Sequence, residues 1–364
     1  MGRVLMKGAE ALAEAAIRAG AEAYFCYPIT PQTEVAEYLA RRMPEEGGVF
    51  LQAESELAAA NMLYGAAAAG ARVLTSSSSP GISLMSEAFS YLAGAELPAV
   101  IVNVMRCGPG LGGVLASQAD YFQATKAPGH GGFRFLVLAP ASVQEMSDLT
   151  TQAFDLADHY RNPVMVLADG MLAQMMEPVE LGETQARNGS KKPWATTGAK
   201  DRKPNTITSL YLDPEKLERV NDRLVAKYRE MAENEIRFEE YRLDQHVGAP
   251  RRGAPPSSVE PRLLIVAFGT VARIAKTAIA TLDEEGLSAA LFRPISVYPF
   301  PTEALRRAAE RAERVLVVEM NTGQMVEDVR AAIAGARPVE FFGRSGGVVP
   351  TPEEVVEAAR RVLA

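Results

Sequence analysis

AYFCYPITP, residues Ala23–Pro31, sets the pattern on which the chain is built. Ala23–Tyr27 reads as a short, fully buried strand. A turn follows, and Thr30-Pro31 then has the form of an N-cap with proline at the first helical position. The helix this predicts carries Val35, Tyr38 and Leu39 on one face. The same strand–turn–helix unit recurs on both sides. Upstream, Ala9, Leu12, Ala13, Ala16 and Ile17 recur at helical spacing. Downstream, Val49–Gln52 leads into the alanine-rich helix Glu54–Ala69, and Arg72–Thr75 into a helix near Ile82–Ala93. Pro98–Met105, Phe135–Ala139 and Pro163–Ala168 are further strands. Ser142–His159 is a helix with Ser142 as cap and Glu145 in capping-box position. Alternation of this kind predicts a parallel sheet covered on both faces.

The order breaks after residue 181. Gly182–Thr208 is polar and holds the only tryptophan, Trp194. Asp213-Pro214 opens a long charged helix, with Leu217, Val220, Leu224, Tyr228 and Met231 stepping by three and four. That stripe predicts a solvated helix packed along one side. Ala249–Pro261 is proline-rich and reads as a linker. From Arg262 the alternation resumes in Leu263–Ala267, Ala289–Arg293 and Val315–Glu319. The expected division is an α/β domain over 1–181, a linker with a long helix over 182–261, and a smaller α/β domain over 262–364.

Composition narrows the function classes. The 364 residues carry a net charge of -7, against the basic surplus of a nucleic-acid binder. No apolar stretch approaches the roughly 20 residues of a membrane helix. The start, MGRVLMKGAE, lacks the apolar core of a secretory signal, so a cytoplasmic chain is expected. Two cysteines, Cys26 and Cys107, cannot ligate an iron–sulfur cluster unaided, and three histidines make a histidine-rich metal site a poor fit.

In open parallel sheets, ligands bind outside the carboxyl ends of the strands. Four loops meet there: Pro28-Ile29-Thr30-Pro31, Ala53–Glu56, Ser76–Gly81 and Arg106–Gly110. Together they offer carboxylates, a guanidinium, hydroxyls and backbone amides, a set suited to an organic acid. Glu54 and Glu56 stand where a helix dipole favours acids, so cap and catalyst are both open readings. Arg106 would take a carboxylate in a bidentate pair or belong to a structural ion pair. Gly108–Gly113 matches G-x-G-x-x-G, yet a proline interrupts it and no strand with an acid follows about 20 residues on. A nicotinamide site therefore fits poorly. His130 lies in a glycine-rich loop, read as solvated or as a substrate contact. Both cysteines read as packing residues.

The four loops, in this order, resemble the alpha subunit of 2-oxoacid:ferredoxin oxidoreductases. The resemblance rests on Tyr27–Pro31 (YPITP), Gln52–Glu56 (QAESE), Ser76–Met85 (SSSSPGISLM) and Arg106–Gly113. It extends through Ser117–Lys126 (SQADYFQATK), Tyr160–Pro163 (YRNP), Gln174–Pro178 (QMMEP), Ser209–Leu212, Val318–Val326 (VEMNTGQMV) and Phe342–Pro352 (FGRSGGVVPTP). Within the family it is nearest the 2-oxoisovalerate (3-methyl-2-oxobutanoate) branch. Cys107 stands where a glycine is expected.

The resemblance implies a pyrimidine-binding domain of thiamine diphosphate enzymes plus a smaller transketolase-C-like α/β domain. It implies oxidative decarboxylation of a branched-chain 2-oxoacid to acyl-CoA and CO2, with ferredoxin reduced. The diphosphate and magnesium would sit on a beta subunit, iron–sulfur clusters on a ferredoxin-like subunit, and a gamma subunit would complete the complex. Glu56 would hydrogen-bond the aminopyrimidine ring, Arg106 would hold the substrate carboxylate and Thr30 would touch substrate or cofactor. Pro28, Ile29, Ser78 and Gly81 would shape the pyrimidine pocket. Rival readings are a 2-oxoglutarate or pyruvate enzyme, a non-catalytic scaffold subunit and a nicotinamide-linked dehydrogenase. For a 2-oxoglutarate enzyme, Lys126 or Arg134, or a residue of the beta subunit, would be the second cation.

Overall fold

The computed structural model of the protein describes residues 2–185, 192–243 and 260–364. Two sheets organise it. The larger has seven strands in the order Ser296–Tyr298, Leu136–Leu138, Pro163–Asp169, Ala99–Met105, Val73–Ser77, Ala23–Cys26 and Val49–Gln52. Every neighbouring pair is parallel except the outermost, where Ser296–Tyr298 runs antiparallel to Leu136–Leu138. Val73–Ser77, Ala99–Met105 and Pro163–Asp169 are buried along their whole length, as expected for strands covered on both faces. Helix Gly8–Arg18 packs against Thr33–Glu45 and Val143–Tyr160, and Glu56–Ala68 packs against Ser79–Gly94. Alanines in Gly8–Arg18 and Glu56–Ala68 are small enough to let these backbones pack closely.

The second sheet has five strands in the order Val339–Gly343, Arg314–Glu319, Leu263–Val266, Ala289–Pro294 and Phe238–Tyr241. Its last strand is antiparallel. Each sheet therefore takes an edge strand from outside its own run of sequence. Ser296–Tyr298, which follows the second-sheet strand Ala289–Pro294, completes the first sheet. Phe238–Tyr241, from the stretch expected to be a linker, completes the second. A small antiparallel ribbon, Val4–Lys7 with Met176–Val179, also escaped the pattern reading.

Three local expectations need correction. Thr30-Pro31 is not a helix start: the peptide between them is cis, and the helix begins at Thr33 with Gln32 at its N-cap. The buried side chain of Gln32 is drawn inward, where Ser76 Oγ donates to its Oε1 at 2.6 Å. The Ser142–Glu145 box closes on one side only. Ser142 Oγ accepts from the Glu145 amide at 3.1 Å, but the Glu145 carboxylate takes the Ala141 amide at 2.7 Å and both Nη atoms of Arg293. Arg293 lies in the second sheet, so a long-range ion pair outcompetes the local cap. The charged helix spans Pro214–Asn234 and buries Val220, Leu224, Tyr228 and Met231, while Leu217 stays exposed. Arg223 and Lys227 pair with Glu96, and Tyr160 donates to Glu235, so the helix docks on the first domain. Of the expected linker Ala249–Pro261, residues 249–259 lie outside the described residues.

Two stretches that carry the family resemblance form a clasp between the sheets. Gln118 donates through its amide to Phe268 O at 2.8 Å and accepts from the Met320 amide at 3.1 Å. Its backbone binds Met320 O and Asn321 Nδ2. Tyr121 and Lys126 both reach Asp328, and Gln324 takes the Phe122 amide and donates to Ala119 O. Glu319, fully buried, accepts from Asn321 Nδ2 and from the amides of Gln324, Met325 and Val326 at the start of helix Met325–Ile333.

Candidate functional site

The carboxyl ends of the strands at residues 23–26, 49–52, 73–77 and 99–105 bring the four loops together. The residues proposed from sequence differ in how the fold holds them. Ser55 caps helix Glu56–Ala68 by accepting from the Ala58 amide at 3.1 Å, which places Glu56 in the first turn. Glu56 is buried, while Glu54 is exposed. The acid pair is thereby separated, and Glu56 is the one aimed inward. No hydrogen bond or ion pair joins its carboxylate to another described residue.

Gly81 explains why Glu56 can sit there. A methyl group on Gly81 would overlap Ser77 Oγ and lie 2.8 Å from Glu56 Oε1 and 3.1 Å from Glu56 Cγ. The position thus requires glycine for space, not for backbone freedom. Gly81→Ala is expected to displace the Glu56 carboxylate. Turnover of the assembled complex should fall at least tenfold, since a hydrogen bond to a charged group is at stake. Steady-state kinetics with unchanged subunit assembly checks this; normal turnover would show that Glu56 can move freely.

The serine run divides by side. Thr75 Oγ1 donates to Phe25 O at 2.7 Å, and Ser76 Oγ bonds Gln32 Oε1 and Tyr24 Oη, each at 2.6 Å. Burial pushes the Tyr24 hydroxyl well above its ordinary value, so it stays protonated beneath the site. Ser77 and Ser78 are wholly buried, yet neither hydroxyl has a partner among the described residues. Ser78 is the N-cap of helix Ser79–Gly94 but makes no capping bond. An unpaired buried hydroxyl is unfavourable, so these two are free to meet a ligand or a neighbouring group that moves.

Arg106 is buried at 8% exposure, more deeply than a solvated crevice cation. Its Nη1 donates to Thr30 O at 3.0 Å and its Nη2 to Leu111 O at 3.2 Å. Nε has no partner. The guanidinium therefore braces two loops with neutral acceptors and makes no ion pair among the described residues. A cation held this way keeps N–H groups for an incoming anion. Behind it stands a polar cluster that sequence reasoning missed. Asp120 Oδ2 accepts from Ser79 Oγ at 2.6 Å and from Asn103 Nδ2 at 2.9 Å. Ser79 Oγ accepts from the Arg106 amide at 3.0 Å. Burial raises the Asp120 carboxyl, opposed by those two hydrogen bonds and by the charge of Arg106. Only tertiary structure joins residues 79, 103 and 120; Ser79 and Asn103 lie near strand ends, but Asp120 precedes a short helix, so nothing local links them.

Pro28 and Thr30 are exposed and Ile29 is half-buried, so the first loop forms the open rim of the site. The Gly108–Gly113 loop opens no helix. It doubles back, with Cys107 N bonded to Leu115 O and Arg106 bridged to Ala116, which removes the dinucleotide reading. Leu111, Val114 and Leu115 on it are 84%, 54% and 60% exposed. His130 is exposed, with its backbone amide on Ser90 Oγ. Cys26 and Cys107 are buried free thiols.

These features fit the pyrimidine half of thiamine diphosphate. One unpaired buried carboxylate, free hydroxyls and a glycine window suit a nitrogen-bearing ring. Among the described residues no group of three His, Cys, Asp or Glu could hold a metal ion. Nor is any helix there long and apolar enough to cross a membrane.

Comparison with known proteins gives the class: a subunit of a thiamine-diphosphate-dependent 2-oxoacid oxidoreductase. The chain belongs to the pyruvate flavodoxin/ferredoxin oxidoreductase family: the family's thiamine-diphosphate-binding model matches residues 14–242. The model of pyruvate:ferredoxin oxidoreductase core domain II matches residues 262–355. The ketoisovalerate oxidoreductase subunit VorB of Methanothermobacter thermautotrophicus is 46% identical over 362 residues, covering 100% of this chain and 98% of the relative. The 2-oxoglutarate synthase subunit KorA of Archaeoglobus fulgidus is 37% identical, covering 97% of each. Among solved structures, 2-oxoglutarate:ferredoxin oxidoreductase from Magnetococcus marinus superposes with a TM-score of 0.83 at 26% identity, covering 100% of this chain and 66% of that one. A split-gene transketolase at 14% identity and TM-score 0.58 shares the fold.

Proposed function

We propose that this chain binds the aminopyrimidine ring of thiamine diphosphate through Glu56 and the 2-oxoacid carboxylate through Arg106, within a complex that oxidises branched-chain 2-oxoacids to acyl-CoA and CO2 and reduces ferredoxin. The cofactor, when bound, supplies the carbon nucleophile and the electron sink for decarboxylation. This chain's residues supply the rest. Glu56 holds a proton at the ring nitrogen. Arg106 orients the substrate carboxylate. Thr30 offers its hydroxyl at the rim, and Pro28, Ile29, Ser78 and Gly81 shape the pocket.

Partner subunits complete the site: a beta subunit for the diphosphate and magnesium, a ferredoxin-like subunit for the iron–sulfur clusters, and a gamma subunit. The exposed apolar residues Tyr27, Leu57, Leu111, Val114 and Leu115, beside the site residues, support coverage by another chain.

The substrate choice rests on one observation: neither candidate for a second cation is free. Lys126 pairs with Asp328 in the clasp, and Arg134 lies over the Tyr298 ring and donates to Thr125 O. Unless a residue of the beta subunit supplies a cation, a second substrate carboxylate would be buried unpaired, which is unfavourable. In the assembled complex, kcat/KM should rank 2-oxoisovalerate above pyruvate, by about 10–200-fold for the added methyl groups, and 2-oxoglutarate last. Highest kcat/KM with 2-oxoglutarate would reverse the assignment.

A further inference from the structure

Ser77 lies on the strand Val73–Ser77, between the satisfied hydroxyl of Ser76 and the free one of Ser78. Side chains alternate along a strand, so Ser77 shares its face with Thr75, not with Ser76. Thr75 is spent on Phe25 O, and Ser76 on Gln32 and Tyr24. Ser77 Oγ is fully buried and has no partner among the described residues. It does have a neighbour. Ser77 Oγ and Glu56 Oε1 both border the space that a side chain at Gly81 would fill. A donor without an acceptor and a carboxylate without a donor therefore face one glycine window without being bonded to each other.

We propose that Ser77 is a positioning residue for Glu56: its hydroxyl donates to one carboxylate oxygen when Glu56 turns to meet the cofactor ring, leaving the other oxygen for the ring nitrogen. This rests on the reading of Glu56 given above. The chemistry is consistent with the role. A hydrogen bond donated to a carboxylate stabilises its charged form. The shared proton is thereby held nearer the ring than the carboxylate. The fixed bond also limits the carboxylate to one rotation, so its second oxygen is presented in a single direction. Ser76 cannot substitute, because its hydroxyl is held on the opposite side of the strand.

The test uses the complete complex and Ser77→Ala, which removes only the hydroxyl. Three readouts are needed: the melting temperature of the unloaded complex, the Kd for thiamine diphosphate with magnesium, and steady-state kinetics. Loss of an unpaired buried hydroxyl should leave melting unchanged or raise it. The Kd should rise about tenfold and kcat should fall about tenfold, with KM for the 2-oxoacid unchanged, as expected for one hydrogen bond to a charged group. In a Glu56→Gln background, Ser77→Ala should add nothing to the Kd. A lower melting temperature of the unloaded complex would make Ser77 a structural hydroxyl and overturn the proposal. So would an unchanged Kd in the single variant, or an additive effect in the double variant. If Glu56→Gln itself leaves the Kd unchanged, the reading of Glu56 fails, and with it the role of Ser77. If Glu56→Gln weakens binding and Ser77→Ala does not, only the Ser77 proposal falls.

Discussion

Glu56→Gln lowers turnover of the assembled complex by about 10²–10⁴-fold, the range of a positioned acid–base group. The substitution keeps the shape of the side chain, so Ser55 still caps the helix and Gly81 still has room opposite. What it removes is the ability to hold and release a proton at the ring nitrogen. Subunit assembly and melting temperature should stay near those of the unaltered complex, because Glu56 makes no ion pair among the described residues. Single-turnover decarboxylation measured beside gel filtration separates the two effects. Near-normal turnover would leave Glu56 as a helix-start residue and this chain as a scaffold for its partners. Glu54, exposed just ahead of the helix cap Ser55, would then be the next carboxylate to test.

Arg106→Lys lowers kcat/KM for every 2-oxoacid by about 10–100-fold, the scale of hydrogen bonds to a charged group. Lysine keeps the charge but not the planar fork. It can replace at most part of what Arg106 now does, which is to bond Thr30 O and Leu111 O together and keep Nε free. The ratio of kcat/KM between substrates should change little, because the carboxylate is common to all of them. If catalysis with 2-oxoacids were intact and only assembly failed, Arg106 would be a loop brace and nothing more. The buried cluster of Ser79, Asn103 and Asp120 holds the Arg106 backbone through the Ser79 hydroxyl. That cluster does not depend on the guanidinium, so the main chain should survive the substitution.

Several features were legible because they are local. The buried strands are short apolar runs, and the helices after them have apolar residues at three- and four-residue spacing. Ser142 and Asp213 each sit where a capping oxygen can reach an amide two or three residues on, and Asp213 does so at 3.0 and 3.3 Å. Placement of the four loops at one sheet end followed from strand–helix alternation alone. The misreadings share one cause. Thr30-Pro31 looked like a helix start because local preference favours it, but Gln32 is pulled inward by a hydroxyl on another strand. Glu145 looked like half of a capping box, but Arg293, 148 residues away, offers two charge-assisted bonds.

By itself the sequence determined the α/β class, the repeated strand–turn–helix unit and the short set of side chains available to the site. These depend on the period of hydrophobicity and on turn chemistry, which act over a few residues. Tertiary structure decided which of those side chains are usable. Burial separated Glu56 from Glu54, and Asp328 pairs with Lys126. It also decided where the edge strands go, since a strand such as Ser296–Tyr298 pairs with whichever sheet edge lies nearest in space. The resemblance-bearing stretches 117–126 and 318–326 proved to be a clasp, a role with no local signature. A hydrogen bond between residues 118 and 320 is favourable only after the chain between them has folded, so no short window of sequence can announce it.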